Sequence, residues 1–341
     1  MDMIPSKGFN FLHDCKSPMI PVPCGVCASC IALRQNFFVQ RCQMEQLDNH
    51  LFMATFTYNR KMIPSRNVNN RRLFYFDFSD FQKMIKRVRL YLPSFRYLVV
   101  SEYGGSNHRP HAHAIFSFPK EIAPTYADVV NLETYLHDVF LREWARNYGS
   151  KRKPIYEPLC TYINNSRGRT FDFHYVNPNS TAQGESDVAF YVSKYLLKSD
   201  SYVKKLRSAL KLNLSEEEFK EEWSFFRPKC CFSKSWGNPG SKNVADYINH
   251  CIALSVEIPS FLYPCFFTKY SGQSFPLSPF YRKKFMTMDD KLSFYYRGHD
   301  LVALKNQASF VQKDLLLESK FNDILSNLDF LSQSYNYLDL Q

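Results

Sequence analysis

One predicted β-hairpin constrains this chain more than any other feature. The segment PHAHAIFSF at 110–118 alternates strictly, so a strand there carries His111 and His113 on one face and alanines on the other. The segment RYLVVSEY at 96–103 precedes it, and the loop GGSNHR between them has the glycines that a hairpin connection favours. The sequence therefore predicts an antiparallel pair in which Glu102 lies opposite His111.

The elements around this hairpin indicate the fold class. Alternation and helical periodicity predict further strands and helices, in chain order, at 51–58, 79–92, 125–148, 170–176 and 186–199. Ser79 with Gln82, and Thr125 with Asp128, match the helix-capping pattern. Residues 59–72 are predicted to form a basic, Asn-rich loop. The order β, α, β, β, α, β, α predicts an α+β fold, an antiparallel sheet covered by helices, rather than a doubly wound parallel sheet.

The charge balance favours a nucleic-acid partner. The 341 residues suffice to bury a core without disulfides, and 43 Lys and Arg against 32 Asp and Glu give a formal net charge of +11. Such a surplus attracts polyanions. The N-terminus resembles no signal peptide, and no apolar run approaches the roughly 18 residues of a spanning helix, so we expect a cytoplasmic protein without membrane contact. The alternative interpretation is a merely soluble basic protein.

Glu102, His111 and His113 form a candidate metal site. Two imidazoles and one carboxylate on a common face, with positions left open, suit a divalent ion such as Mn²⁺ or Mg²⁺. Magnesium prefers oxygen ligands, so the sequence leaves the native metal open. The alternative is that both histidines are satisfied sheet residues. His108, in the connecting loop, is a further candidate ligand, although its position favours solvent.

The segment DVAFYVSKYLLKSD gathers two tyrosines and two lysines. At about 100° per residue, Tyr191, Lys194, Tyr195 and Lys198 fall within one arc of the predicted helix, and its apolar residues lie opposite. A tyrosine hydroxyl has a reference pKa near 10, so it needs a cation to act as a nucleophile at neutral pH. A lysine or a bound metal can supply that charge. The alternative is a pair of half-buried aromatics beside solvated lysines.

A cysteine cluster lies near the N-terminus. Cys24, Cys27 and Cys30 follow the pattern C-x-x-C-x-x-C, and Cys15 precedes them by nine residues. Four thiols at this density predict a structural zinc site, with Cys42 as a competing fourth ligand. An iron–sulfur cluster has the same ligand count, and reduced thiols without a metal are the remaining alternative.

Together these motifs resemble a known family. HRPHAHAIFSF is similar to the HUH motif, and AFYVSKYLLKS is similar to the Y-x-x-x-Y motif of two-tyrosine replication initiators. With PVPCGVCASC, MATFTYN and SEYGG, they resemble the replication initiators of gokushoviruses, small phages of the microvirus family. The resemblance covers residues 20 to about 200.

This resemblance implies a nuclease core of RRM-like, ferredoxin-related topology. It implies nicking of the phage replicative form at an origin through a 5′-phosphotyrosine, a 3′-OH left for the host polymerase, and final rejoining of the ends. DNA and the host replication machinery would be the partners, in the cytoplasm of a bacterial host. The implied metal ligands are Glu102, His111 and His113. The implied nucleophiles are Tyr191 and Tyr195. The implied supporting cation is Lys198, with Lys194 as a weaker candidate.

The same interpretation divides the chain into three parts. We expect a Cys-rich segment at 1–48, the endonuclease core at 49–200, and a largely helical or irregular extension at 201–341. The sequence indicates neither the role of this extension nor the oligomeric state. The rival functions are a non-catalytic DNA-binding or packaging protein, an HUH transposase or relaxase, and an unrelated metallohydrolase. Relaxases typically place the tyrosine before the histidine motif, whereas here it follows.

Overall fold

A computed structural model of the chain describes residues 28–92, 94–105, 107–160, 171–177, 201–257, 265–267 and 274–290. These residues form two compact units, one within Asp48–Trp236 and the other from the residues before and after those bounds. The expected division at residues 48 and 200 stays a prediction. Within the described residues, no helix is both long and apolar enough to cross a membrane.

The first unit is built on an antiparallel sheet. Its strands are β1 (Asn49–Thr57), β2 (Ser65–Val68), β3 (Arg71–Phe74), β4 (Arg96–Tyr103), β5 (Pro110–Pro119), β6 (Ala145–Asn147), β7 (Tyr156–Pro158), β8 (Asp172–Tyr175) and β9 (Cys230–Phe232). Five of them form one sheet in the order β8-β1-β5-β4-β9, with every neighbouring pair antiparallel. The pairs β2–β3 and β6–β7 form two small sheets of their own.

Helices accompany the strands, which confirms the α+β class. The helices of the described residues are α1 (Ala28–Asp48), α2 (Phe78–Val88), α3 (Tyr126–Glu143), α4 (Ser201–Asn213), α5 (Glu216–Phe226), α6 (Lys242–Glu257) and α7 (Pro279–Phe285), with a 3-10 turn at Lys120–Ile122. The order β1, α2, β4, β5, α3, β8 matches the predicted order of elements over that range, with the small strands inserted between them.

Helices α2 and α3 pack on one face of the sheet. The apolar face of α2 is buried, and it joins Ala112, Ala114 and Phe116 of β5 in a single core cluster. Phe56 of β1 contacts Phe81 of α2 at a ring-centroid distance of 5.5 Å. Burying an aromatic or aliphatic side chain of this size stabilises the fold by roughly 1.5–3 kcal/mol. The alternation of β5 therefore places its alanines in the core and its histidines on the opposite face.

The caps of α2 and α3 differ in how well the sequence predicted them. Thr125 and Asp128 form the expected capping box of α3. The expected box at Ser79 and Gln82 is wrong, because α2 begins one residue earlier and its N-cap is Asp77. The Asp77 carboxylate accepts a hydrogen bond from the Ser79 amide at 2.8 Å, and Asp is as good an N-cap as Ser.

Helix α3 ends earlier than the predicted residue 148. It stops at Glu143 because Trp144 turns into the core, where it is fully buried and its indole N–H donates to the carbonyl of Thr57 at 2.8 Å. The next residues then pair with β7 as strand β6. Tertiary contacts thus override the helical propensity of this segment.

The predicted loop at 59–72 contains a β-hairpin instead. Strands β2 and β3 pair through Val68 and Arg71, and the two residues between them, Asn69 and Asn70, both have positive φ, at 48° and 60°. That geometry is a two-residue turn of the kind that suits the twist of a hairpin, and Asn tolerates it well. The guanidinium of Arg66 donates to the Glu222 carboxylate of α5 at 2.9 Å and 2.6 Å, which fixes the hairpin to that helix.

A buried ion pair joins α2 to β6 and yields a stability prediction. Asp80 is 2 % exposed, and its carboxylate accepts hydrogen bonds from Arg146, at 3.1 Å from Nε, and from the Tyr58 hydroxyl, at 3.2 Å. We expect Arg146→Met to lower the free energy of unfolding by about 3–5 kcal/mol, because it leaves a buried carboxylate without its cation. Urea denaturation followed by tryptophan fluorescence measures this change.

Arg142→Met is the matched control for that substitution. The Arg142 side chain is 58 % exposed and contacts Glu143 at 3.0 Å, so its loss should cost less than about 1 kcal/mol. Equal destabilisation by the two variants would contradict the assignment of Asp80 and Arg146 as a buried stabilising pair.

The second unit contains α1, α6, α7 and a small sheet of two strands, β10 (Cys265–Phe267) and β11 (Ser274–Pro276). The Gln40 side chain of α1 donates to the carbonyl of Pro276 and accepts from the amide of Ser278, both at 2.8 Å. Gly237 has φ +66°, and a Cβ there would lie 2.7 Å from the Tyr281 hydroxyl, so glycine is required at this point. Sequence-distant parts of the chain are thus held to α1 by specific contacts.

Candidate metal centre

The register of the β4–β5 hairpin brings the three candidate ligands together. Glu102 pairs with His111 across the two strands, as the sequence predicted, and His113 lies two residues further along β5 on the same face. One carboxylate oxygen of Glu102, Oε1, lies 2.8 Å from Nε2 of His111 and 3.3 Å from Nε2 of His113. Both imidazoles therefore direct the same ring nitrogen at one carboxylate.

These groups lie in a largely buried setting. Glu102 and His113 are 8 % and 5 % exposed, and the His111 side chain is 15 % exposed. Further along the same face, Val100 of β4 and Ile115 of β5 are buried apolar residues. Low local polarity strengthens electrostatic contacts, so a charge placed among these three groups interacts strongly with them.

The other ring nitrogens of the histidines also have partners. Nδ1 of His111 lies 3.0 Å from the carbonyl oxygen of Arg109, and Nδ1 of His113 lies 3.1 Å from the hydroxyl of Thr55 on β1. The two rings are nearly perpendicular, with their centroids 5.0 Å apart. Each imidazole is therefore held at two points, and its orientation is fixed.

The titration of these groups follows from their contacts. Burial raises the pKa of the Glu102 carboxyl, but hydrogen bonds from His111 and His113 act in the opposite direction and together lower it to about 2. Burial lowers the pKa of His113, and the Glu102 carboxylate, which accepts a hydrogen bond from the ring, acts in the opposite direction. Glu102 is thus an anion at neutral pH, and His113 favours the neutral form that can ligate a metal.

The donor set fits a divalent cation. One ligand atom from each of the three residues lies within 4.8 Å of the other two, which is compatible with a single ion bound between them. A carbonyl oxygen only accepts hydrogen bonds, so Nδ1 of His111 carries a proton and Nε2 offers its lone pair unless the ring is charged. The short approach of that nitrogen to a carboxylate then requires a proton or a metal ion between them. Among the described residues, this is the one His, Cys, Asp and Glu cluster with such spacing.

His108, the alternative ligand, lies outside this cluster. It is an exposed residue of the 104–109 loop with φ 48°, and its ring stacks on Tyr202 at a centroid distance of 4.0 Å. The expectation that it faces solvent is confirmed, and the stacking on α4 is an addition that the sequence did not indicate.

The remaining candidate residues fall outside the part of the chain that the structure describes. They are the tyrosines, the lysines and most of the cysteines, namely Tyr191, Lys194, Tyr195, Lys198, Cys15, Cys24 and Cys27. Cys30 lies in α1, where only its backbone is described, and the competing ligand Cys42 is a buried thiol of the same helix. The nucleophile and zinc assignments therefore remain predictions.

Sequence reasoning missed the two groups that hold the imidazoles, Thr55 and the carbonyl of Arg109. A signal for Thr55 was present, because the strand MATFTYN alternates in phase with PHAHA. In the observed register, Thr55 pairs with His113 and Thr57 pairs with His111. The carbonyl of Arg109 has no such signal, because every residue has a backbone carbonyl and the residue type does not indicate which one forms a given contact.

The segment that carries this geometry is similar to a known protein family. Residues 51–200 match the family model of the replication-associated protein ORF2/gene 2 protein. This match includes most of β1 and all of β4 and β5, with the whole candidate metal centre, and it also spans the segment with Tyr191 and Tyr195.

The family match covers less than half of the 341 residues. It supports the expected relationship to replication proteins for the segment that carries the metal centre. Comparison with curated proteins and with solved structures found no match.

Proposed function

We propose that this protein is a metal-dependent rolling-circle replication initiator, of the HUH type found in gokushoviruses, that nicks and rejoins DNA through a tyrosine. The observation that carries the proposal is the convergence of Glu102, His111 and His113 on two central strands of a segment similar to replication-associated proteins. A protein that only bound or packaged DNA would need no such buried cluster.

The reaction that we propose exchanges one phosphodiester bond for another. The phenolic oxygen of Tyr191 or Tyr195 attacks the phosphorus and forms a 5′-phosphotyrosine, while the bond from phosphorus to the 3′ oxygen breaks. The phenol loses its proton, and the leaving oxygen gains one and becomes a free 3′-OH. Attack by a 3′-OH on the phosphotyrosine reverses these changes and rejoins the strand, so no external energy source is required.

A divalent ion, Mn²⁺ or Mg²⁺, would be held by Glu102, His111 and His113. When bound, it supplies positive charge that stabilises the charge developing on the scissile phosphate. Lys198, with Lys194 second, is proposed to stabilise the tyrosine in its phenolate form. Two tyrosines four residues apart, one turn of the predicted helix, would allow one to hold a DNA end while the other cuts.

Basic residues beside the centre suit a DNA substrate. Arg109 immediately precedes β5 and presents an exposed side chain, and Arg60, just after β1, is exposed as well. Partial burial of the guanidinium and the positive charge of Arg60 both lower the pKa of Arg109, so the two guanidinium groups lie within electrostatic reach. Two neighbouring cations, in a chain of net charge +11, favour a phosphate backbone at this end of the sheet.

The proposed setting follows from the proposed reaction. The enzyme would open the replicative form of a small phage at its origin in the cytoplasm of a bacterial host, leave a 3′-OH for the host polymerase and helicase, and release closed single-stranded circles. The cysteines at 15, 24, 27 and 30 are proposed to hold a structural zinc ion.

A search for a covalent adduct tests the proposed function. The full-length protein is incubated with Mn²⁺ and end-labelled single-stranded DNA that tiles its own genome, and the products are separated on a denaturing gel. We expect a protein–DNA adduct at one sequence, lost when chelator is in excess, and a crosslinked peptide that contains Tyr191 or Tyr195. DNA binding without any adduct across the genome would instead favour the DNA-binding or packaging function.

A further inference from the structure

The two histidines of the candidate metal centre are oriented by different kinds of partner. The Nδ1 partner of His111 is the carbonyl oxygen of Arg109, which can only accept a hydrogen bond. That contact places a proton on Nδ1 of His111, and it leaves Nε2 directed at Glu102. The Arg109 carbonyl alone therefore favours the His111 tautomer with its proton on Nδ1, which is the tautomer that leaves Nε2 able to ligate a metal.

The Nδ1 of His113 faces a group of a different kind. Its partner is the hydroxyl of Thr55, at 3.1 Å, and a hydroxyl can either donate or accept. If the hydroxyl donates, the proton of His113 is on Nε2, in the space between the ring and Glu102 where an ion would lie. If the hydroxyl accepts, the proton is on Nδ1 and the Nε2 lone pair is free.

We propose that Thr55 is a positioning residue of the metal centre, whose hydroxyl accepts the Nδ1 proton of His113 and thereby directs the Nε2 lone pair toward Glu102. Thr55 pairs directly with His113 in the β1–β5 register, and its branched side chain has restricted rotation in a strand. The hydroxyl can also turn to donate when no ion is bound. This single group thus supports both tautomers of a largely buried imidazole and favours the ligating tautomer once an ion enters.

The inference gives a physical role to the strand MATFTYN. Phe56 faces the core between the two threonines, while Thr55 and Thr57 share the face of the histidines. Thr57 lies opposite His111, whose Nδ1 already contacts the Arg109 carbonyl. The two threonines are therefore not equivalent, and Thr57 is a matched control for Thr55.

Metal affinity provides the first test, and it rests on the proposed metal site. Full-length wild type, Thr55→Val, Thr55→Ser and His111→Ala with His113→Ala are titrated with Mn²⁺ in a calorimeter. Loss of a group that orients a metal-ligating histidine typically weakens binding about 10–100-fold, and we expect this for Thr55→Val, which keeps the shape but removes the hydroxyl. Thr55→Ser, which keeps the hydroxyl, should bind close to wild type.

The tautomer of His113 provides the second test, independent of activity. In protein with isotope-labelled histidine and bound Zn²⁺, which is diamagnetic, we expect a slowly exchanging Nδ1 proton on His113. Thr55→Val should lose that protected proton signal, and Thr57→Val should retain it. If Thr55→Val does not fold, as judged by circular dichroism, Thr55→Ala takes its place in both measurements.

The outcomes separate the inference from the proposed function. Absence of Mn²⁺ binding by the wild type would overturn the metal site itself. A second outcome would overturn the role of Thr55 alone. In that outcome the wild type binds Mn²⁺ and the double histidine variant does not, while Thr55→Val keeps both the wild-type affinity and the protected His113 proton. Equal weakening by Thr55→Val and Thr55→Ser would assign the effect to shape rather than to the hydroxyl, and would also overturn it.

Discussion

The double variant His111→Ala, His113→Ala is expected to lose metal-dependent cleavage of single-stranded DNA by about 10³-fold or more. The substitutions remove two of the three groups that converge at the centre, and a catalytic metal contributes several kcal/mol of charge stabilisation, at about 1.36 kcal/mol for each factor of ten. Initial rates of nicking on a labelled origin strand, measured with excess Mn²⁺, test this expectation.

His108→Ala is the matched control for the loss of histidine. That residue is exposed, three positions before His111, and lies outside the cluster, so its removal should leave the nicking rate close to wild type. The double variant should also keep most of its salt-dependent affinity for DNA, because that affinity comes from the basic surface. Undiminished nicking by the double variant, or by wild type in excess chelator, would rule out the metal assignment.

The second large effect concerns the nucleophile. We expect the double variant Tyr191→Phe, Tyr195→Phe to form no covalent adduct and to nick DNA about 10⁴-fold or more slowly, since removal of an enzymatic nucleophile abolishes the covalent route. Each single variant should lose at least one of the two activities, nicking or joining. Gel assays on an origin strand and on a preformed adduct distinguish these two activities.

Tyr156→Phe serves as the control for these substitutions. Its side chain is exposed on β7, so the change should affect neither activity. Cleavage that survives in the double tyrosine variant, while still requiring the metal ligands, would favour an unrelated metallohydrolase. Full retention of nicking and joining in both single variants would contradict the assignment of two nucleophiles.

The sequence predicted how Glu102, His111 and His113 come together because the relevant information is local. A period of two in PHAHA fixes the face of both histidines, and a short loop fixes the register that places Glu102 opposite His111. The bounds of β4 at Arg96 and Tyr103 match the prediction, and β5 extends it by one residue to Pro119. Patterns of this kind depend only on residues that are close together in the sequence.

Features that depend on distant parts of the chain were not predictable in the same way. The hydrogen bond between Thr55 and His113 joins residues 58 positions apart, and it requires the order of strands in the sheet. The place of β9 beside β4 and the early end of α3 at Trp144 have the same origin, because each results from packing that the local sequence does not encode. The hairpin at Asn69 and Asn70 is an exception, since its two turn residues were a recognisable signal.

The three candidate ligands lie close together along the chain. Glu102, His111 and His113 all come from one hairpin, within twelve consecutive residues, and closing its six-residue loop costs little chain entropy. The proposed tyrosines follow some eighty residues later along the chain. The candidate ligands and the proposed nucleophiles therefore come from separate parts of the chain, and α3 and β8, which lie between them in the sequence, contribute to the core behind the ligand-bearing strands.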